Sequence, residues 1–208
     1  MSRMGRTSDA KERLMAAALD LTWEESYGAI TIDDICRRAG VKKGSFYYFF
    51  ESKSDLAVDA LERLWVEQWK PALDAQFSSS VEPLKRISDY LESIYVRQAG
   101  AKHKSGKVLG CPVCCLGSEV TTQDEKVGAK VREICDRKRR YFESAIRDAV
   151  AEGAIEPCNP AEKVASVGGL IEGVVLQSRI MNDTELVRRL PAMILDLLRP
   201  KTAASAKA

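Results

Sequence analysis

Three thiols fall within five positions near the middle of the chain, in Gly110-Cys111-Pro112-Val113-Cys114-Cys115. Proline has the fixed φ and missing N–H that suit the first position of a helix, so Pro112 makes Cys111 the N-cap. Cys114 and Cys115 then follow at i+3 and i+4, on the same face. A thiol at a helix N-terminus meets the positive end of the dipole and open N–H groups, which lower its pKa and raise its thiolate fraction. Cys-Pro-Val-Cys also has the spacing of a redox dithiol. Lys102, His103, Lys104 and Lys107 precede the cluster in a glycine-containing stretch that reads as a loop, and His103 is the only histidine. Three chemistries fit. The thiols could be small hydrophobes lining a core or an effector pocket. They could sense oxidants or electrophiles, through modification of Cys111 or a Cys111–Cys114 disulfide. They could hold a soft metal through Cys111, Cys114 and Cys115 with His103. A structural zinc site would need a second paired-cysteine motif, which is missing. Cys36 and Cys135 fall on apolar helix faces and read as core, and Cys158 falls in a loop.

A second group can make polar contacts of another kind. Lys42 and Lys43 offer cations at the mouth of a short segment running to Phe50, where phosphates would lie. Gly44 removes a side chain where a backbone must approach closely. Ser45, Tyr47 and Tyr48 can hydrogen-bond phosphates or base edges. Thr31 caps the helix before them, with N–H groups that could also meet a phosphate. Phe46 and Phe49 read as core.

The elements that position these residues are helical. Leu14, Ala17, Ala18 and Leu21 mark one face of a helix from about Ser8 to Tyr27-Gly28. Thr31 with Asp34, and Ser52 with Asp55, have the spacing of capping boxes. The first opens a helix that Gly40 ends, and the second opens a long one in which Pro71 predicts a kink. Further helices are expected from about 81 to 99, 111 to 120, 122 to 153, 160 to 180 and 184 to 198, with Thr122 and Glu125 capping the third. The fold class is all-α with about nine helices: an N-terminal three-helix helix-turn-helix domain over 1–56, a larger helical domain over 57–200, and a disordered tail over 201–208. The 208 residues are 45% apolar and carry a net charge of +2. No apolar run approaches the ~18 residues of a membrane span, and no secretory signal opens the chain, so the six cysteines are expected as reduced thiols in a cytoplasmic protein. Residues 1–56 hold nine basic and nine acidic side chains, so DNA binding there would rest on placed contacts rather than bulk charge.

The stretch Ala39-Gly40-Val41-Lys42-Lys43-Gly44-Ser45-Phe46-Tyr47-Tyr48-Phe49-Phe50-Glu51-Ser52-Lys53-Ser54-Asp55-Leu56, with Thr31-Ile32-Asp33-Asp34-Ile35 upstream, resembles the signature of the TetR family of transcriptional regulators. Phe46 and Phe49 stand where an aliphatic residue and a tyrosine are common. The resemblance implies a homodimer, paired through its last two helices, whose N-terminal domains enter successive major grooves of a palindromic operator. By position it implies DNA contacts from Lys42, Lys43, Ser45, Tyr47 and Tyr48, with Thr31 and Lys53 on phosphates. It also implies that 57–200 is an effector-binding and dimerisation domain, with a pocket expected among Trp65, Trp69, Ile94, Tyr95, Cys114, Cys115, Leu116, Phe142 and Gln177, and that the protein is a repressor that an effector releases, with no cofactor required. That effector could be a small molecule, an oxidant or electrophile, or a soft metal. The rival reading from the cysteines is a helical thiol-dependent enzyme of the glutathione type.

Overall fold

The structure, a computed structural model, describes residues 3–200, with side chains from Asp9 onward. The tail expected to be disordered, 201–208, lies outside the described residues. The described residues form two compact units: those up to Trp69 with Cys111–Ile134, and Lys70–Gly110 with those from Cys135 onward. This packing division differs from the functional boundary expected at residue 56. The cysteine-bearing helix packs with the N-terminal helices, because its apolar stripe of Val113, Leu116, Gly117 and Val120 is buried in that unit.

In the first unit, α1 (Arg3–Glu24), α2 (Ile32–Ala39), α3 (Lys43–Phe49) and α4 (Lys53–Leu64) enclose a core. Leu14, Ile35, Phe46 and Leu56 are fully buried in it. On α1, Leu14, Ala17, Ala18 and Leu21 at i, i+3, i+4 and i+7 turn one stripe of the helix inward. α7 (Pro112–Val120) and the first part of α8 (Glu125–Ala151) complete the unit. A Cβ on Gly117 would stand 2.8 Å from Val131, so glycine lets α7 approach α8 this closely. α8 is capped by Asp124, whose carboxylate accepts from Val127 N–H at 3.1 Å, rather than by the Thr122–Glu125 box expected. Beyond Leu64 the helix passes through a π turn, Trp65–Trp69, into α5 (Lys70–Gln76). Pro71 cannot donate to the carbonyl four residues back and would crowd it, and the wider π spacing just upstream accommodates both effects.

The second unit is built from α5, α6 (Pro83–Ser105), the later part of α8, α9 (Pro160–Met181), α10 (Glu185–Arg188) and α11 (Leu190–Leu198). α6 runs past Gly100 to Ser105, where a loop was expected. No proline interrupts it there, and Lys102, His103 and Lys104 in its last turn oppose the C-terminal dipole. The loop that does follow is fixed by side chains: Gln98 bonds both the N–H and the C=O of Gly110 at 2.9 Å, and Asn182 accepts from Val108 N–H at 2.8 Å. The single helix expected over 184–198 is broken into α10 and α11, because Pro191 cannot donate within a continuous helix. Counted as rods, with α4, the π turn and α5 as one, nine helices and the single turn α10 make up the described residues. No strand occurs among them apart from one isolated bridge, Ile155 to Pro200. By length and composition α9 is apolar enough to cross a membrane, yet Glu162, Lys163, Glu172 and Arg179 interrupt it, so its apolar run stays shorter than a span, as expected.

Candidate nucleic-acid interface and the cysteine helix

The turn before α3 is set by backbone chemistry. Thr31 and Asp34 form a complete capping box: Asp34 N–H donates to the Thr31 hydroxyl at 3.1 Å, and Thr31 N–H donates to the Asp34 carboxylate at 3.0 Å. These bonds hold the Asp34 carboxyl below its ordinary range, chiefly through the Thr31 hydroxyl. The Thr31 side chain is thus committed within the cap, and a phosphate there would have to meet backbone N–H groups. Gly40 ends α2 at φ 64°, in the left-handed region that glycine enters without strain. Arg13 of α1 donates to Ala39 O at 2.9 Å and ties the turn down.

α3 then divides cleanly. Phe46 is fully buried, its ring 5.7 Å from Phe50, and Phe49 is packed partly into the same core. Gly44, Tyr47 and Tyr48, spaced i, i+3 and i+4, form the exposed face. Tyr47 is 55% exposed and Tyr48 73%, and each ring is set edge-on against a neighbouring phenylalanine at 5.2 and 4.8 Å. Lys42 and Lys43 are exposed at the start of this face, and Ser45 is half-buried beside it. The Lys43 ammonium pairs with Asp33 at 3.0 Å, which raises its pKa, and both side chains are more than half exposed. A solvent-exposed pair of this kind is screened by water and holds weakly, so a phosphate can displace the aspartate.

Lys53 is placed differently from expectation. Its ammonium turns inward and donates to Tyr27 O at 2.8 Å and Ile30 O at 2.9 Å, 4.2 Å from the centre of the Tyr27 ring. Burial pushes its pKa down. Two of its three N–H groups are spent on the turn between α1 and α2, so it holds that turn rather than reaching outward to a phosphate.

A Cβ built on Gly44 meets nothing within 4 Å, and its φ is not positive. The folded chain itself therefore makes no demand for glycine at this position. Gly44→Ala is expected to stabilise the free protein by up to ~1 kcal/mol through helix propensity, while weakening binding to DNA severalfold. Thermal unfolding and a DNA titration of the same variant check the two halves.

The cysteines stand as the spacing predicts. Cys111 is the N-cap of α7 with Pro112 at the start of the helix, though its side chain makes no capping bond. Cys111, Cys114 and Cys115 are half-buried and flank the apolar stripe. Cys36 is buried, which pushes its thiol pKa up. Cys135, expected as core, is only half-buried. Among the described residues no group of three or more His, Cys, Asp or Glu side chains is placed to hold a metal ion. Cys111, Cys114, Cys115 and His103 are therefore not gathered as a ligand set. His103 is exposed in the last turn of α6, in the second unit.

The expected pocket residues are scattered. Trp65 is buried and Trp69 half-buried in the first unit, and neither lines the hollows of about 10 and 370 Å³ among its helices. In the second unit Phe142 is buried among Phe77 and Tyr90, with ring centres 5.0 and 5.1 Å away, and this aromatic cluster is core. Tyr95 is half-buried. Gln177 is exposed, because it lies beyond the edge of the buried stripe of Val167, Ile171, Val174 and Ser178 on α9.

Sequence reasoning missed Glu119. Its carboxylate accepts from the Ser26 hydroxyl at 2.9 Å, from Tyr27 N–H at 3.0 Å and from Gly28 N–H. No local signal marks this glutamate in α7, since its partners lie about 90 residues earlier.

This arrangement agrees with comparisons to known proteins. Residues 14–60 match the family model of bacterial regulatory proteins of the tetR family, and residues 83–194 match that of the tetracyclin repressor-like C-terminal domain. An uncharacterized HTH-type transcriptional regulator of Lactococcus lactis is 30% identical over 119 residues, 56% of this chain and 58% of that protein. The transcriptional regulator AcuR of Cereibacter sphaeroides is 27% identical over 173 residues, 82% of this chain and 77% of AcuR. The crystal structure of the reduced form of Escherichia coli NemR shares the fold, with a TM-score of 0.78 at 20% identity, over 93% of this chain and all of that one. The chain belongs to the TetR family of transcriptional regulators. It is a DNA-binding regulator, and the thiol-enzyme reading is set aside.

Proposed function

We propose that this chain is a homodimeric repressor acting in the cytoplasm, which holds a palindromic operator with the exposed face of α3 and needs no cofactor. The observation that carries this reading is the division of α3. Its aromatic core side is buried, while Gly44, Tyr47 and Tyr48 with Lys42 and Lys43 form one contiguous exposed face. A helix-turn-helix reads DNA with such a face. The test is selection of binding sequences from a random DNA pool, followed by footprinting. A protected palindrome with half-sites about one helical turn apart is expected. Uniform, sequence-independent binding would reject the reading.

The dimer is supported by α9. Leu176, Ile180 and Met181 are 56, 71 and 66% exposed. Gly168, Gly169 and Gly173 lie on the same helix, and a Cβ on any of them meets nothing within 4 Å. The chain's own packing does not require these glycines, whereas close approach of a second helix would.

Release from the operator would follow uptake of a small molecule by the larger domain, or modification of the thiols on α7. The N-cap position of Cys111 supports the thiol route. Cys111→Ser is expected to abolish operator release by N-ethylmaleimide or diamide while leaving operator affinity within about twofold. Release is read by fluorescence anisotropy, with copper(I) as a further arm. Unchanged release under all three reagents would leave the cysteines as packing residues beside a small-molecule site.

A further inference from the structure

The turn between α1 and α2 is gripped from two sides. Its donors, the Ser26 hydroxyl and the Tyr27 and Gly28 N–H groups, converge on the Glu119 carboxylate of α7. Its acceptors, Tyr27 O and Ile30 O, converge on the Lys53 ammonium of α4. Hydrogen bonds to ionised groups are the strong ones, so an anion and a cation from two different helices fix the backbone that leads into α2. Thr31, the N-cap of α2, comes three residues after Gly28, and α2 carries α3 through the Gly40 turn.

Gly28 is an independent sign that the carboxylate belongs there. Its φ is not positive, so the turn itself does not need glycine. A Cβ at this position would stand 2.8 Å from Glu119 Oε1. Among the atoms within 4 Å only this carboxylate oxygen crowds the position, so a Cβ would have to push it aside.

Glu119 also stands one turn beyond Cys115, at i+4 on α7, and eight residues beyond Cys111, the N-cap of that helix. We infer that Glu119 is the positioning residue through which α7 and the DNA-binding head report on one another. Any shift of α7 about its axis, including one imposed by a group added to Cys111 or Cys115, carries the carboxylate away from its three donors and frees the turn that orients α2 and α3. Coupling of this kind is reciprocal. DNA that fixes α3 must, through the same carboxylate, restrain α7. The inference rests on the operator reading above.

The test measures alkylation of Cys111 and Cys115 by iodoacetamide, mapped by mass spectrometry, in the full-length protein with and without the selected operator. Cys158 serves as an internal reference. In the unaltered protein operator DNA is expected to slow alkylation at both α7 positions at least about fivefold relative to Cys158, the low end of ordinary allosteric coupling. In Glu119→Gln, and separately in Gly28→Ala, the operator should still bind and the ratio should fall to about one. Gly28→Ala needs only the flexible end of one side chain to move, so it keeps the test open if Glu119→Gln folds poorly. Undiminished protection in the variants would overturn the inference, as would no protection in the unaltered protein. Complete loss of operator affinity in both variants would also overturn it, since Glu119 would then build the head rather than couple it. If the unaltered protein gave no footprint at all, the operator reading would fail and the inference with it, and the missing footprint tells that failure apart from the others.

Discussion

Ile180→Glu is expected to yield a folded monomer that no longer holds its operator. Ile180 is 71% exposed on α9, so the single chain loses almost no burial when it is replaced. In a dimer closed through α9 the new carboxylate would be desolvated against apolar side chains at a cost of about 3 kcal/mol or more, which is about a hundredfold in the dimer dissociation constant. Operator affinity should fall further still, because one head then has to bind a half-site without its mate. Sedimentation velocity at micromolar protein, together with circular dichroism, separates a folded monomer from an unfolded chain. A dimer of unchanged affinity would place the interface elsewhere.

Phe46→Ala is expected to have the largest effect on stability. The ring is fully buried at the centre of the first unit, with Phe50 and Tyr47 against it. Removing it deletes a large apolar area and leaves a cavity, which costs about 3–5 kcal/mol in comparable cores. That is a large share of the stability of an ordinary domain, about 5–15 kcal/mol. The variant should unfold at much lower denaturant concentration and lose DNA binding as a consequence. Tyr47→Ala, next to it but exposed, should weaken DNA binding about tenfold or more with little change in the unfolding midpoint. The contrast between neighbouring positions distinguishes the packing side of α3 from the reading side.

The helix-turn-helix was legible because its determinants are local. The Thr31–Asp34 box, the Ser52 cap on Asp55 N–H, the positive φ at Gly40 and the Asn159-Pro160 start each depend on residues within four positions. The in–out division of α3 followed from residue type, with the phenylalanines read as core and the tyrosines as polar contacts. What failed was set by partners distant in sequence. Lys53 read as a phosphate contact, because nothing nearby shows that Tyr27 and Ile30 offer it two carbonyls. Phe142 and Gln177 read as pocket residues, yet one is buried in an aromatic core and the other faces outward. Periodicity identifies a stripe without saying what covers it. Gly100 and Pro191 show the limits of punctuation: a glycine without a following breaker did not stop α6, and a single proline did split the last helix.

The most direct test of the account is the salt dependence of operator binding. Residues 1–56 have no net charge, and Lys42 and Lys43 are the cations at the start of the exposed α3 face. Two protomers would then neutralise about four phosphates, giving a slope of about −4 in log affinity against log salt, with two chains bound per palindrome. Fluorescence anisotropy on the selected DNA between about 50 and 200 mM salt measures both quantities. A slope near −4 at a stoichiometry of two is the predicted result. A slope near −10, or equal affinity for unrelated DNA, would contradict recognition by a few placed contacts on a doubled site.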